Sequence, residues 1–334
     1  MKPLLSICIP TYNRAHYLKE CLDSIVCQFD DKDVYEKVEI VISDNSDSNE
    51  TEEMIKKYQI NCDNINYFHN KKNIGFDLNL FNAIKKANGK YCWELGDDDL
   101  VKNGAIKFII DILKEEEIVV LTMDFKSIIN RRDVLNEILP KEIFKRKDNG
   151  VLFFDSYKEF MENGNVKGIF SIFIFNKELW LSAVDKKDFI IDWLYYETIL
   201  KILPQTKLKF CYLNYPLIYL GQDCKVAKNG GDLISFLRIK RLFEKAALFG
   251  YDPEVYNKTI GFYVKQFPRG LPFIVLRAKS HNLKCSFSTL RLLYREFYKS
   301  PFYSNFYLFL ATILFFIPNQ LLKIARNLKK KIFQ

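Results

Sequence analysis

Leu4-Leu5-Ser6-Ile7-Cys8-Ile9-Pro10-Thr11-Tyr12-Asn13-Arg14 is an apolar run closed by proline and followed at once by a polar loop. Apolar residues at successive positions, bounded by a turn signal, predict a strand buried on both faces. Outward from it, Leu18, Cys21, Leu22, Ile25 and Val26 recur at helical spacing within Tyr17 to Gln28, and Val38 to Ser43 reads as a second strand. A helix from about Glu50 to Tyr58, a strand from Asn64 to His69, a helix from Asp77 to Ala87 and a strand from Lys90 to Leu95 continue the series. This alternation predicts an α/β fold, a mostly parallel sheet with helices on both faces, whose ligands bind beyond the carboxyl ends of the strands.

The alternation runs on through a helix at Ala105 to Lys114, strands at Ile118 to Met123 and Ile169 to Phe175, a helix at Asp192 to Leu203 ending before Pro204, and a strand at Lys207 to Leu213. Lys126 to Asn149 is polar and carries no assignable period. After about Gly221 the pattern turns helical, with a glycine-rich break at Asn229-Gly230-Gly231, and there is no internal repeat. The expected organisation is a catalytic domain over residues 1–225, a helical extension over 226–300 and a tail over 301–334.

Charge is unevenly placed in this 334-residue chain. Of the net +9, the stretch from Arg269 to Gln334 holds 12 Lys or Arg against one acid, Glu296, which leaves 38 bases and 40 acids for the first 268 residues. A nearly neutral body argues against a nucleic-acid partner, which would require a basic patch on the folded domain. A basic tail containing the uncharged aromatic stretch Phe302 to Pro318 suits an anionic membrane surface; about 16 residues falls short of the roughly 20 needed to span a bilayer, so a peripheral anchor is expected. A C-terminal helix docked on the protein fits the same stretch. The eight cysteines and three histidines show no metal-finger spacing and read as reduced thiols and ordinary side chains. The N-terminal apolar run is too short for a signal peptide, so the expected location is cytoplasmic, peripheral on the cytoplasmic face of the inner membrane.

Four polar segments follow strand ends. Pro10 to Arg14 lies between a strand and a helix, where a nucleotide would fit, although an ordinary turn capped by Asn13 reads the same way. Ser43-Asp44-Asn45-Ser46-Asp47 offers a carboxylate able to accept from a pyrimidine N–H, or an Asx-turn cluster. Asn73-Ile74-Gly75, followed by Asn79, permits close backbone approach, with amides facing ribose or phosphate. Gly96-Asp97-Asp98-Asp99 is the most informative: three successive carboxylates repel one another unless a cation lies between them, and hard oxygen donors suit Mg²⁺ or Mn²⁺. An exposed acidic turn is the plainer reading.

In this order and at these intervals, Pro-Thr-Tyr-Asn-Arg, Ser-Asp-Asn-Ser-Asp, Asn-x-Gly and Asp-Asp-Asp resemble the nucleotide-binding half of family 2 glycosyltransferases of GT-A fold, over about Leu4 to Val101. The resemblance implies an inverting, metal-dependent enzyme of the abequosyltransferase-like branch acting in O-antigen and capsule assembly. It would move a sugar from a nucleotide-diphosphate donor to a saccharide acceptor, expected to be lipid-linked. It places Pro10, Thr11, Tyr12, Asn13, Arg14, Asp44, Asn73, Gly75, Asn79 and Asp97 at the nucleotide sugar, and Asp97, Asp98 and Asp99 at Mn²⁺ or Mg²⁺. Two departures stand out. Many members have an acid where this chain has Gly96, and the Glu-Asp pair of the acceptor half is absent. In its place stands Phe189-Ile190-Ile191-Asp192-Trp193, with Asp192 as the expected general base and Glu197 one turn on. A nucleotidyltransferase would require a glycine-rich first loop, which Pro10 to Arg14 is not; an inactive membrane adaptor of the same fold is the remaining alternative.

Overall fold

The computed structural model describes residues 2–127, 150–221, 231–265 and 302–317, with Pro272, Val275, Arg291, Tyr294 and Arg295 between the last two stretches. The stretch left unassigned from the sequence lies mostly outside these residues, as does most of the glycine-rich break. The chain divides into two compact units, Met1–Asp223 and Cys224–Gln334.

In the first unit the order is β1 (Leu5–Thr11), α1 (Ala15–Val26), α2 (Lys32–Lys37), β2 (Val38–Asp44), α3 (Glu50–Gln59), β3 (Ile65–His69), α4 (Phe76–Lys86), β4 (Tyr91–Glu94), β5 (Leu100–Val101), α5 (Ala105–Glu115), β6 (Ile118–Ser127), β7 (Val151–Phe154), α6 (Tyr157–Asn163), β8 (Phe173–Asn176), α7 (Lys177–Ala183), α8 (Leu194–Ile202) and β9 (Lys209–Leu220). All strands join one sheet in the order β3-β2-β1-β4-β8-β6-β9-β5, with β7 on β9. Every residue of β1 and β2 is buried, the polar Ser6, Thr11, Glu39, Ser43 and Asp44 among their apolar neighbours included. Pairing is parallel across β3, β2, β1 and β4. Beyond β4 it changes: β8 runs antiparallel to both β4 and β6, and β5 and β7 are antiparallel to β9, while β6 and β9 are parallel. The sheet is therefore mixed rather than mostly parallel, because its second half is joined by returns that sequence alternation cannot orient.

Three element boundaries differ from expectation for local reasons. The strand expected from Ile169 starts at Phe173, because Ser171 has φ +78, and the helix expected from Asp192 starts at Leu194, because Asp192 has φ +69; neither angle continues a strand or a helix. The strand expected to end at Leu213 continues to Leu220 through Pro216, which pairs with Asp124 at a register shift, where a ladder tolerates a residue without an N–H. The core between sheet and helices is aromatic, with Trp93, Trp180, Tyr91, Phe160, Phe173, Phe175 and Phe210 fully buried.

The second unit contains α9 (Gly231–Ala246), α10 (Pro253–Lys258) and α11 (Phe302–Phe316). Leu308, Ala311 and Phe315 of α11 pack with Leu237 and Val275, while Phe306, Phe309, Ile313 and Phe316 are exposed. Part of the tail thus belongs to a helical core. Among the described residues no helix is long and apolar enough to cross a membrane.

Candidate active site

In the order β3-β2-β1-β4 the chain winds outward from β1 in both directions, so the crevice between the carboxyl ends of β1 and β4 is the topological switch point. The first loop and the acidic motif meet there. The Thr11 hydroxyl donates to Asp97 Oδ2 at 2.7 Å, and the Arg14 guanidinium reaches Asp97 Oδ1 at 3.2 Å and Asp98 Oδ2 at 2.7 Å. Arg14 also lies over the Tyr17 ring at 4.8 Å. A single guanidinium thus balances two of the three carboxylates. Pro10 itself is buried in β1 opposite Ser43, past the last residue of β4 that pairs with β1.

Asp99 is placed differently from its two neighbours. Its Oδ1 accepts the Gly221 N–H at 2.7 Å and its Oδ2 accepts the Ser171 hydroxyl, whose oxygen in turn accepts the Gly96 N–H at 2.8 Å. Burial pushes this carboxyl up to about 7, Asp98 and Asp97 add repulsion, and the bonds from Ser171 and Gly221 pull the other way. Both oxygens tie the end of β4 to the entry of β8 and the end of β9, whereas Asp97 and Asp98 are held by Thr11 and Arg14. A side chain at position 96 would place its Cβ 2.7 Å from Asp99 Oδ2, which is why glycine stands where an acid was expected.

The loops after β2 and β3 form a second network. Asp44 is fully buried, its oxygens accepting the Ser46 N–H at 2.7 Å and the Tyr67 hydroxyl at 2.8 Å, so it braces the loop from below. The exposed carboxylate of this segment is Asp47, which accepts from Tyr12 Oη and Asn13 Nδ2, both at 2.9 Å; these bonds hold it below the usual carboxylate range. Asn45 donates to Asn73 Oδ1 at 3.1 Å and Gly75 O at 3.3 Å, and accepts from Asn70. Asn79, expected at the ligand, is buried instead: it donates to Thr11 O at 3.1 Å and accepts from Asn70 Nδ2 at 2.9 Å. Gly75 has open space around it; what requires glycine is its φ of +84, not a close approach.

On the acceptor side, Asp192 is half-buried just before α8, and Glu197 is buried with Oε2 accepting the Ile190 N–H at 2.8 Å, which closes the preceding loop. Glu197 thereby closes the loop on which Asp192 stands. Among the described residues, the three non-glycine positions with positive φ are Asn13, Ser171 and Asp192, one in each segment bordering the site. Such conformations cost about 1–3 kcal/mol each and persist where surrounding structure holds them. Sequence reading missed Asn45, Asp47, Asn70, Asp77 and Ser171. The first three lay in or beside motifs already singled out; Asp77 and Ser171 gave no local signal.

The residues fit a hard divalent cation in one limited way. Among the described residues no three His, Cys, Asp or Glu side chains form a ready cage. Mg²⁺-type sites use one or two carboxylates and complete their shell with water and phosphate oxygens, and Asp97 and Asp98 are two such carboxylates facing a cationic partner.

A mixed sheet with a parallel N-terminal half, an acidic motif at the switch point and returning strands beyond it defines the GT-A class. Residues 6–165 match the model of glycosyl transferase family 2, and this region is a family 2 glycosyltransferase domain. The chain is 32% identical over 190 residues to the abequosyltransferase RfbV of Salmonella typhimurium, the match covering 54% of this chain and 55% of that one. It is thus aligned with about half the length of that curated relative. It is 26% identical over 312 residues to the GalNAc(5)-diNAcBac-PP-undecaprenol beta-1,3-glucosyltransferase of Campylobacter jejuni, covering 87% of this chain and 89% of that one. The fold is shared with S. aureus TarS 1-349 in complex with UDP-GlcNAc, at a TM-score of 0.62, 14% identity and coverage of 98% and 92%. It is also shared with the mannosyltransferase PcManGT of Pyrobaculum calidifontis in complex with GDP-Man and Mn²⁺, at a TM-score of 0.57, 15% identity and coverage of 99% and 88%.

Proposed function

We propose that this chain is an inverting glycosyltransferase that moves a sugar from a nucleotide-diphosphate donor to a lipid-linked saccharide in surface polysaccharide assembly. The observation that carries it is the meeting of Thr11, Arg14, Asp97 and Asp98 at the switch point, a polar crevice lined by the loop after β1 and the acidic motif after β4. The names of the two relatives, one of them acting on an undecaprenol-linked saccharide, support the acceptor class.

Tyr12, Asn13 and Asp47 border the nucleotide, with Asn73 exposed beside them, while Asp44 and Asn79 hold their loops from beneath. Asp97 and Asp98 would hold Mn²⁺ or Mg²⁺, which when bound neutralises the departing diphosphate. Thr11 fixes the Asp97 carboxylate, and Arg14 supplies a further positive charge at the same place. Asp192 takes the proton of the acceptor hydroxyl as it attacks the anomeric carbon from the face opposite the leaving group. The basic C-terminal segment and the exposed apolar side of α11 would keep the enzyme peripheral on the membrane that carries its acceptor.

Calorimetric titration of UDP, GDP, CDP and dTDP with and without Mn²⁺ tests the assignment. At least one should bind in a metal-dependent way to the wild type, and Asp98→Ala should lose that dependence. Affinity that stays at the metal-loaded wild-type value both in the variant and in chelator-treated wild type overturns it.

A further inference from the structure

Asp77 is 5% exposed in the first turn of α4, two residues after Gly75. Both of its oxygens are directed across to the acceptor side, where Oδ2 accepts the Asp192 N–H at 2.8 Å and Oδ1 accepts the Leu194 N–H at 3.1 Å. The N-cap residue of α8, Trp193, makes no side-chain cap, so a carboxylate from a distant helix does the capping. A buried negative charge at a helix N-terminus is electrostatically favourable, and hydrogen bonds to an ionised acceptor are roughly twice as strong as neutral ones.

The residue so held is Asp192, whose φ of +69 is a conformation a free loop would leave readily. On its other side Asp77 is continuous with the nucleotide-side loops. Asn45 binds Asn73 and Gly75, the Asn45 N–H donates to Thr11 O at 3.0 Å, and the Asn79 N–H donates to Gly75 O at 3.1 Å. The aromatic rings flanking the two acids also meet: Phe76 lies edge-on to Phe170 and to Tyr195, with ring centroids 5.2 Å and 6.5 Å apart, and Trp193 stacks on Tyr195 at 5.9 Å.

The geometry points to Asp77 as a positioning residue that aims Asp192 and links its alignment to the loops that receive the donor; this rests on the reading of Asp192 as the base. Asp77 touches no reacting atom. A general base must lie within hydrogen-bond reach of the proton it takes, and displacement by about 1 Å can cost on the order of a hundredfold in rate. Asp77→Asn keeps one acceptor oxygen and presents an NH₂ to the other N–H, so it breaks one of the two bonds while conserving shape.

The test is nucleotide release with water as acceptor, measured on the full chain with Mn²⁺ and whichever of a panel of UDP, GDP, CDP and dTDP sugars the wild type hydrolyses fastest. Wild type, Asp77→Asn, Asp192→Asn and the double variant are compared, with donor affinity and melting temperature measured for each. Asp77→Asn should lower kcat at least tenfold with donor KM and Kd changed less than threefold. In the Asp192→Asn background the same change should cost less than twofold further. Multiplying effects in the double variant, or a loss of donor affinity and melting temperature that accounts for the fall in kcat, overturns the inference and leaves Asp192 in place. Wild-type turnover by Asp192→Asn overturns the reading of Asp192 itself, and no release from any donor by the wild type overturns the functional proposal; either removes the inference with it.

Discussion

Replacing Asn79 by alanine separates a framework role from a ligand-binding one. Asn79 is 2% exposed, and truncation removes one of two donors to the Thr11 carbonyl, at 3.1 Å, and one acceptor of Asn70 at 2.9 Å. The Thr11 carbonyl keeps the Asn45 N–H at 3.0 Å, and Asn70 Nδ2 keeps Ser43 and Asn45, so neither group is left without a partner. A lost hydrogen bond costs about 0.5–1.5 kcal/mol, giving about 1–3 kcal/mol for the pair. For a unit of this size each kcal/mol moves the melting temperature by about 2–4 °C, so a fall of roughly 2–12 °C is expected. All three tryptophans, Trp93, Trp180 and Trp193, lie in the first unit, and their fluorescence therefore follows its unfolding without the second. Nucleoside diphosphate affinity, measured well below the transition, should stay within about fivefold of wild type. An unchanged melting temperature with affinity lost more than tenfold would refute the reasoning and return Asn79 to the ligand.

Arg14→Met should tighten binding of Mn²⁺ alone by about tenfold, equivalent to ~1.4 kcal/mol, since the guanidinium between Asp97 and Asp98 opposes a second cation there; calorimetry without nucleotide reads this, and weaker binding contradicts it. Burial, with the field of Cys92 added, pushes the Glu94 carboxyl well above the usual range, and neither of its oxygens has a hydrogen-bond partner among the described residues. The folded state therefore holds this proton after the unfolded chain has lost it, so wild-type stability falls as pH rises above about 4.3, by up to ~1.4 kcal/mol per unit until the folded group titrates. Glu94→Gln should remove that slope, and urea midpoints that differ from wild type by the same amount at pH 5 and pH 7 count against it. Phe309→Ser with Phe316→Ser should reduce flotation with anionic vesicles at low salt without altering the helix content of the second unit. Deleting the tail is a poorer test, because Leu308, Ala311 and Phe315 belong to that unit's core.

What the sequence determined by itself was the parallel half of the sheet and the loops that end it. Leu5, Ile7, Cys8 and Ile9 in one strand and Val38, Ile40, Val41 and Ile42 in the other put apolar side chains on both faces, and such strands are stable when covered on both faces. Polar residues at their ends then fall at one edge of the sheet, where Thr11, Arg14, Asp97 and Asp98 meet as the motifs implied. Only the tertiary structure decided which acids face that crevice. Asp44 and Asp99 carry the same side chain as Asp47 and Asp98, and nothing local distinguishes them; Tyr67, Ser171 and Gly221, which turn them inward, are 23, 72 and 122 residues away. The same holds for Asp77, which caps a helix 117 residues on. The reason is physical: strand burial is read from neighbours in the chain, whereas the partner of a buried carboxylate is chosen by packing between segments, and spacing along the sequence carries no record of it.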